Sequence, residues 1–174
     1  MITILSGTNR PDALSYKLAL FYQQKLSDKG LSAEILDLDE LPEDFIVSAM
    51  YENRGKNEVF NRFVTAIEKA EKVVLVVPEY NGSFPGILKT FIDGMPYPNP
   101  LKDKKIALVG LSSGNQGALL ALSHLTDILH YLGAYVLPLK VRLPFVNKHM
   151  PDGVLTHAPS ITLLEEQQAR LIAL

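Results

Sequence analysis

The sequence contains no cysteine and has almost no net charge. Without cysteine, the chain forms no disulfide, has no thiolate nucleophile and cannot ligate zinc or an iron–sulfur cluster through sulfur. Its 17 basic and 19 acidic residues leave a formal net charge of −2. This balance favours neither a nucleic-acid partner nor the strongly acidic surface of an electron carrier.

Long apolar runs are also missing. No stretch reaches the ~20 residues that a membrane-spanning helix needs, and the start, MITILSG, lacks the basic region of a signal peptide. We therefore expect a soluble, cytoplasmic protein with neither a membrane nor a nucleic acid as partner. The 174 residues, 47% of them hydrophobic, are enough for one domain with a substantial core. We predict a single domain over residues 1–174.

The most informative stretch is the run Val73–Val77. It consists of β-branched and aliphatic residues without a polar interruption, which predicts a central strand of a parallel sheet, buried on both faces. Pro78 is predicted to end this strand. The polar or small residues 79–83 follow, and then a helix over residues 85–94, with Ser83 as its possible N-cap.

Strands and helices are predicted to alternate along the whole chain. The other predicted strands are residues 2–5, 33–38, 106–110 and 134–139, and the other predicted helices are residues 14–29, 58–70, 118–132 and 160–174. This alternation indicates an α/β fold, a flavodoxin-like doubly wound domain. We expect a five-stranded parallel sheet in the order 2-1-3-4-5, with helices on both faces. Residues 39–56 are predicted to be a long excursion, and residues 142–159 to be irregular.

That strand order brings three loops to one edge of the sheet. Strands one, three and four lie side by side in it, so the loops Ser6–Ala13, Pro78–Ser83 and Ser112–Gly117 converge at their carboxyl ends. Ligands of open α/β sheets bind at this edge. We therefore expect the functional site there.

The first loop has features of an anion site. Arg10 brings a fixed positive charge, Thr8 and Ser15 bring hydroxyl groups, and a helix begins nearby. The loop is neither a P-loop nor a GxGxxG fingerprint, and Asp12 would repel a phosphate unless it points away. A capped turn with a solvated Arg10 remains the alternative at this point.

Three segments carry a resemblance to a known family. The segments Gly7–Ala19, Pro78–Asp93 and Gly110–Ala118 resemble the family motifs G-S-x-R-x-x-S-x-N-x-x-L-A, P-E-Y-N-x-S-x-P-G-x-L-K-N-x-x-D and G-x-S-x-G-x-x-G-G. These motifs are those of the NAD(P)H-dependent FMN reductases, a flavodoxin-like family that includes chromate, quinone and azo-dye reductases. The resemblance extends to about Gly133.

Two departures from the first motif concern the cofactor. Ala13 stands where the family has serine, and Ser15 where it has asparagine, so one phosphate-binding hydroxyl is missing. In the second motif only Thr90 departs, since the family usually has asparagine there. We expect Ser15 to compensate in part, and flavin binding to be weaker than is usual in the family.

The resemblance implies bound FMN as cofactor and NAD(P)H as co-substrate. It implies that the FMN phosphate is held by Thr8, Arg10, Ser15 and the amide of Leu14. It implies that the ribityl chain and the ring are lined by Pro78, Glu79, Tyr80 and Asn81. It implies that the pyrimidine edge meets Ser112 and Gly114.

The implied activity is that of an oxidoreductase without a catalytic side chain. NAD(P)H would pass hydride to the flavin, and a quinone, an azo compound, free flavin or a metal oxyanion would then take it. The family also implies a homodimer or homotetramer. His124 and His130, six residues apart on one predicted helix, do not share a helix face, and we predict no metal site. A flavodoxin-like electron carrier and a scaffold without cofactor remain as alternatives.

Overall fold

Six parallel strands form one sheet in the computed structural model, which describes residues 1–174. The strands are β1 (Ile2–Ser6), β2 (Ala33–Asp37), β3 (Lys72–Pro78), β4 (Lys105–Leu111), β5 (Tyr135–Val136) and β6 (Val141–Leu143). Their order is β2-β1-β3-β4-β5, and β6 also pairs with β4. The predicted flavodoxin-like order 2-1-3-4-5 is confirmed, with a sixth strand added.

Helices cover both faces of this sheet. They are α1 (Leu14–Ser27), α2 (Phe45–Ser48), α3 (Glu58–Lys69), α4 (Gly86–Gly94), α5 (Leu119–Tyr131), α6 (Val146–His149) and α7 (Ala158–Ala173). None of them combines the length and the apolar character that crossing a membrane requires. The five long helices predicted from the sequence are all present, with ends that shift by one or two residues.

The core consists of two layers, one on each side of the sheet. Side chains of α3, α4 and α5, such as Phe63, pack on one face, and side chains of α1 and α7, such as Tyr22, pack on the other. Along β3, Leu75 belongs to the first layer, whereas Val74 and Val76 belong to the second. The prediction that this strand is buried on both faces is therefore confirmed.

The excursion between β2 and α3 is more ordered than expected. It contains α2 and two short 3₁₀ turns, Leu38–Glu40 and Tyr51–Asn53. Phe45 of α2 stacks on Phe60 of α3, with ring centroids 5.8 Å apart. Through this contact, α2 joins the core layer that α3, α4 and α5 form on one face of the sheet.

The predicted fifth strand over residues 134–139 is wrong in extent. The chain pairs with β4 at β5, leaves the sheet at Pro138 and returns as β6. Proline interrupts a strand because its ring fixes φ near −65° and it has no N–H to donate. The region 142–159, predicted to be irregular, accordingly contains part of β6, the helix α6 and a 3₁₀ turn.

A glutamine of α7 satisfies the backbone at this break. Gln167 is fully buried, and its amide nitrogen donates to the carbonyl of Leu108 at 2.9 Å and to that of Leu139 at 2.8 Å. Its amide oxygen accepts from the hydroxyl of Tyr22. One side chain therefore joins α7, α1, β4 and the segment between β5 and β6.

We expect Gln167→Leu to lower the free energy of unfolding by about 2 kcal/mol or more, because the buried carbonyl of Leu108 and the partly buried carbonyl of Leu139 lose their donor. Chemical denaturation measures this loss. The matched control is Gln24→Leu, the same change at an exposed position of α1, for which a change within ~0.5 kcal/mol is expected. Equal effects of the two substitutions would contradict the role given to Gln167.

The last residue of β2 is an acidic group in a half-buried position. Burial raises the pKa of the Asp37 carboxyl above its usual value near 3.8, and the nearby charges of Asp39 and Glu40 act in the same direction. The N–H of Asp39 and the hydroxyl of Ser6 oppose this by hydrogen bonding. Folding therefore favours the protonated form, and the contribution of Asp37 to stability falls as pH rises above about 4.

We expect Asp37→Asn to be more stable than the unchanged protein at pH 7, by less than about 1 kcal/mol because the group is only half buried. At pH 4 this advantage should shrink, since a larger share of the carboxyl is then protonated in the folded state than at pH 7. Urea denaturation at both pH values measures the difference. An advantage of the same size at both values would be evidence against a pKa effect.

Candidate functional site

A cleft of about 410 Å³ opens where β1, β3 and β4 end. It lies at the edge predicted from the strand order, between the three loops that follow these strands. Eight of the ten predicted site residues line it: Thr8, Arg10, Leu14, Ser15, Pro78, Glu79, Tyr80 and Ser112. The two others, Asn81 and Gly114, lie on the same loops but outside the cleft lining.

The first loop leaves β1 in close contact with β3. The N–H of Gly7 donates to the carbonyl of Val76 at 2.9 Å. A Cβ on Gly7 would lie 3.0 Å from that same carbonyl oxygen, so glycine allows the backbones to approach this closely. The loop then turns across the end of the sheet and leads into α1.

The N-terminus of α1 faces the cleft without a cap. Ala13 is its N-cap residue and provides no side-chain hydrogen bond. The N–H groups of Leu14 and Ser15 have no backbone or side-chain acceptor, and both residues line the cleft. Free N–H groups and the positive end of the helix dipole make such a terminus suitable for an anion.

The charges around this terminus also suit an anion. Arg10 lines the cleft and is exposed, so its guanidinium can turn toward a ligand. Asp12, the residue expected to repel a phosphate, forms an ion pair with Lys17 at 2.8 Å. The neighbouring ammonium group therefore balances its negative charge.

The two hydroxyl groups of the first loop are engaged with other side chains. Ser15 is 1% exposed, and its Oγ lies 3.2 Å from the Oγ of Ser6. Thr8 is equally buried, and its Oγ1 lies 3.0 Å from the hydroxyl oxygen of Tyr80 on the second loop. The first and second loops are therefore joined across the cleft by a side-chain hydrogen bond.

The second loop is a tight turn around Asn81 and Gly82. Both have positive φ, 51° and 75°, and Tyr80 and Ser83 exchange two backbone hydrogen bonds across them at 2.7 and 3.0 Å. This is the geometry of a two-residue turn with Asn-Gly at its centre. The turn places Asn81 at its exposed tip, away from the cleft.

The prediction that Ser83 caps α4 is wrong. Pro85 is the N-cap residue of that helix and no side chain caps it. The hydroxyl of Ser83 instead lies 3.0 Å from Nδ1 of His124 on α5. The turn at 80–83 uses the backbone of Ser83, which moves this residue away from the start of the helix.

Glu79 links the second loop to the third. Its N–H donates to the carbonyl of Leu111 at 3.0 Å, and its carboxylate accepts from the N–H of Ala118 at 3.2 Å. Ala118 has a left-handed backbone, with φ of 65°, at a position where the family motif has glycine. The carboxylate of Glu79 therefore holds the start of α5 in a conformation that costs alanine about 1 kcal/mol.

The hydroxyl of Ser112 organises its own loop. It accepts from the N–H of Gly117 at 3.0 Å and donates to the carbonyl of Gly114 at 3.1 Å. A Cβ added to Gly114 would meet nothing within 4 Å, so the space beside this backbone is open. Both features leave the loop backbone, rather than the Ser112 hydroxyl, accessible to a ligand.

Sequence reasoning missed the contribution of α6. Val146 and Asn147 line the cleft, because the third loop is bonded to the segment that precedes α6. The N–H of Phe145 donates to Gly114 and that of Val146 donates to Ser112, both at 2.9 Å. No local pattern marks these residues, since their position depends on β6 returning beside β4.

The cleft combines anion donors at one end with a loop backbone at the other. The structure contains no group of three or more histidine, cysteine or acidic side chains able to hold a metal ion. A ligand that suits the cleft has a phosphate at one end and a group with a hydrogen-bonding edge at the other. An FMN molecule has these two parts, so the residues present fit the cofactor that the motifs imply.

Comparison with known proteins finds relatives that are named as reductases. The chain is 31% identical over 134 residues to a 2-hydroxy-1,4-benzoquinone reductase of a Burkholderia species, covering 75% of this chain and 70% of that protein. It is 34% identical over 113 residues to an NAD(P)H-dependent FMN reductase of Pseudomonas aeruginosa, covering 62% of this chain and 58% of that one. The alignment thus spans less than two thirds of the second relative.

A solved structure and a family model extend the comparison. The flavoenzyme NAD(P)H:(acceptor) oxidoreductase FerB from Paracoccus denitrificans superposes with a TM-score of 0.77 at 28% identity, covering 99% of this chain and 94% of that one. The family model for NADPH-dependent FMN reductase matches residues 1–148, well over half of the chain. This protein therefore belongs to the NADPH-dependent FMN reductase family and is an oxidoreductase that uses FMN as cofactor and NAD(P)H as co-substrate.

Proposed function

We propose that this chain binds FMN in the cleft described above and passes hydride from NAD(P)H to a quinone. The observation that carries the proposal is the uncapped N-terminus of α1, with free N–H groups at Leu14 and Ser15, inside a cleft that Arg10 also lines. These donors suit a phosphate group. The proposed acceptor draws on the Burkholderia relative, whose name is that of a benzoquinone reductase.

The phosphate end of the site has two kinds of donor. The N–H groups at the start of α1 point along the helix axis and need no particular side chain, so Ala13 does not remove them. Arg10 adds a guanidinium that matches the geometry of phosphate oxygens. The ion pair between Asp12 and Lys17 keeps the nearest carboxylate balanced.

The other end of the site is formed by backbone. Residues 78–80 would lie along the ribityl chain and the ring, whereas Asn81 lies outside the cleft, and the loop from Ser112 to Gly114 would meet the pyrimidine edge. Bound FMN supplies the hydride chemistry. The chain would position the cofactor, and N–H groups of the third loop would stabilise negative charge at the ring edge. We assign no side chain a role as nucleophile or general acid.

Two further features of the proposal concern assembly and location. A groove of about 530 Å³ lies on the outer side of α4 and α5, and Tyr97 and Tyr131, which border it, are 95% and 90% exposed. Exposed aromatic side chains beside an apolar groove suit the contact of a homodimer, and an oligomer is part of the proposal. A cytoplasmic location stays a prediction.

The acceptor is tested by steady-state kinetics with the FMN-loaded protein. We expect oxidation of NADPH or NADH to require an added acceptor, and kcat/KM to be higher with a benzoquinone than with an azo dye, free FMN or chromate. Parallel lines in double-reciprocal plots would indicate a ping-pong reaction, in which oxidised NAD(P) leaves before the acceptor is reduced. A higher kcat/KM with one of the other acceptors would contradict the quinone assignment, and no turnover with any of them would contradict the reductase.

We expect Arg10→Gln to weaken FMN binding about tenfold, because a hydrogen bond between charged groups contributes roughly 1.5–3 kcal/mol. A tenfold change in Kd corresponds to ~1.4 kcal/mol. Binding of riboflavin should change by no more than about twofold, because riboflavin lacks the phosphate that Arg10 contacts. Quenching of flavin fluorescence measures both. The matched control is Arg170→Gln on α7, where the arginine pairs with Glu166. Equal losses for FMN and riboflavin would place Arg10 away from the phosphate.

A further inference from the structure

A cavity of about 300 Å³ lies between α5 and β6, outside the cleft described above. One wall is a single face of α5, because its residues follow one another at helical spacing: Leu119, Leu122, Ser123 and Thr126. The other wall consists of Arg142 on β6 and Lys140, which precedes that strand. None of the predicted cofactor ligands lines this cavity.

The two basic side chains of the cavity have unused hydrogen-bond donors. The ammonium group of Lys140 forms neither an ion pair nor a hydrogen bond with the rest of the chain. Arg142 uses one of its donors, since its Nη1 donates to the carbonyl of Gln116 at 3.3 Å. The exposed hydroxyl of Ser123 has no partner either. An ammonium, a guanidinium and a free hydroxyl together suit a phosphate group.

One carboxylate opposes these charges. Asp127 is the acidic residue of the cavity lining, and it also borders the groove beside α4 and α5. It forms no ion pair with Lys140 or Arg142. Arg142 lies at the start of α5, where a Cβ on Gly117 would be 3.0 Å from its own Cβ, whereas Asp127 lies on a later turn of that helix. Two cations against one carboxylate leave the cavity positively charged.

The third loop separates this cavity from the cleft. Ser112 and Ser113 line the cleft, whereas Gln116 and Gly117 of the same loop contact Arg142. In the sheet, Arg142 lies directly beside Gly110, the residue from which the chain enters this loop. A long ligand with its reacting group in the cleft can therefore pass the loop and place its far end in the cavity.

The co-substrate has a phosphate at that far end. The nicotinamide is at one end of NAD(P)H and the adenosine at the other, and NADPH differs from NADH by a phosphate on the 2′-oxygen of this adenosine. A phosphate monoester carries up to about two negative charges at pH 7. Basic side chains distinguish it from a hydroxyl group, which is how an arginine accommodates the 2′-phosphate in other dinucleotide sites.

We infer that Lys140 and Arg142 bind the 2′-phosphate of NADPH and make this chain prefer NADPH to NADH, with the Ser123 hydroxyl as a further donor. The inference rests on the proposed function, since it concerns the co-substrate of the same reductase. Neither basic side chain touches the reacting atoms. Both determine specificity, because they contact a group that NADH does not have.

The test compares the binding of NADP⁺ and NAD⁺ to the FMN-loaded protein by isothermal titration calorimetry. We expect NADP⁺ to bind at least about tenfold more tightly than NAD⁺, since hydrogen bonds to a charged group are gained. Lys140→Gln should raise the Kd for NADP⁺ about tenfold and change that for NAD⁺ by no more than about twofold. The values of kcat/KM for NADPH and NADH, measured with one quinone, should change in the same ratio.

Arg142→Gln separates phosphate binding from support of the third loop. Loss of a phosphate ligand weakens NADP⁺ alone, whereas loss of the bond to Gln116 would disturb the loop and weaken both dinucleotides. Equal losses would therefore contradict the role given to Arg142. Lys102→Gln is the matched control, because it removes the same charge from an exposed lysine before β4, at the opposite edge of the sheet. It should change neither Kd.

The outcomes also separate this inference from the proposed function. Equal Kd values for NADP⁺ and NAD⁺ in the unchanged protein, or an equal rise of both in Lys140→Gln, would overturn the inference. These results are expected if the basic residues only prevent the edge strand β6 from pairing with another sheet. A preference for NADP⁺ in binding, without oxidation of NADPH or NADH by any acceptor, would overturn the proposed function and leave the phosphate site in place.

Discussion

The burial of β3 on both faces determines where the cleft can form. Val73 to Val77 are at most 2% exposed, because β3 pairs with β1 on one side and with β4 on the other, under helices from both layers. Three parallel strands side by side must end at one edge. The loops after them therefore meet, and polar groups that are far apart in the sequence line one cleft.

Hydrogen bonds between the loops then give this cleft its shape. Thr8 and Tyr80 join the first loop to the second, and Glu79 joins the second to the start of α5. The backbone before α6 joins the third loop. With the loops held by one another, the free N–H groups of α1 keep a fixed place, and a ligand meets donors that need little rearrangement.

Local patterns were sufficient for the sheet order and for most of the cleft. The unbroken run in β3 and the polar residues after it could be recognised because burial and strand ends leave a signal within a few residues. The break in the fifth strand falls at Pro138, a local signal that the predicted range 134–139 ran through. The return of the chain as β6 beside β4 left no such signal, because it depends on residues that are distant in the sequence. The same holds for Asn147, which reaches the cleft through β6. Ser83 was assigned wrongly because the local Asn81-Gly82 turn uses its backbone and leaves its side chain away from α4.

The central claim, that this cleft holds FMN, is tested most directly by a binding stoichiometry. The purified chain is mixed with excess FMN, the unbound flavin is removed by gel filtration, and the visible absorption spectrum gives the flavin retained per chain. We predict one FMN per chain, and a smaller retained fraction in Arg10→Gln. A chain that elutes without colour would contradict the account, because the donors of α1 would then have another ligand or none.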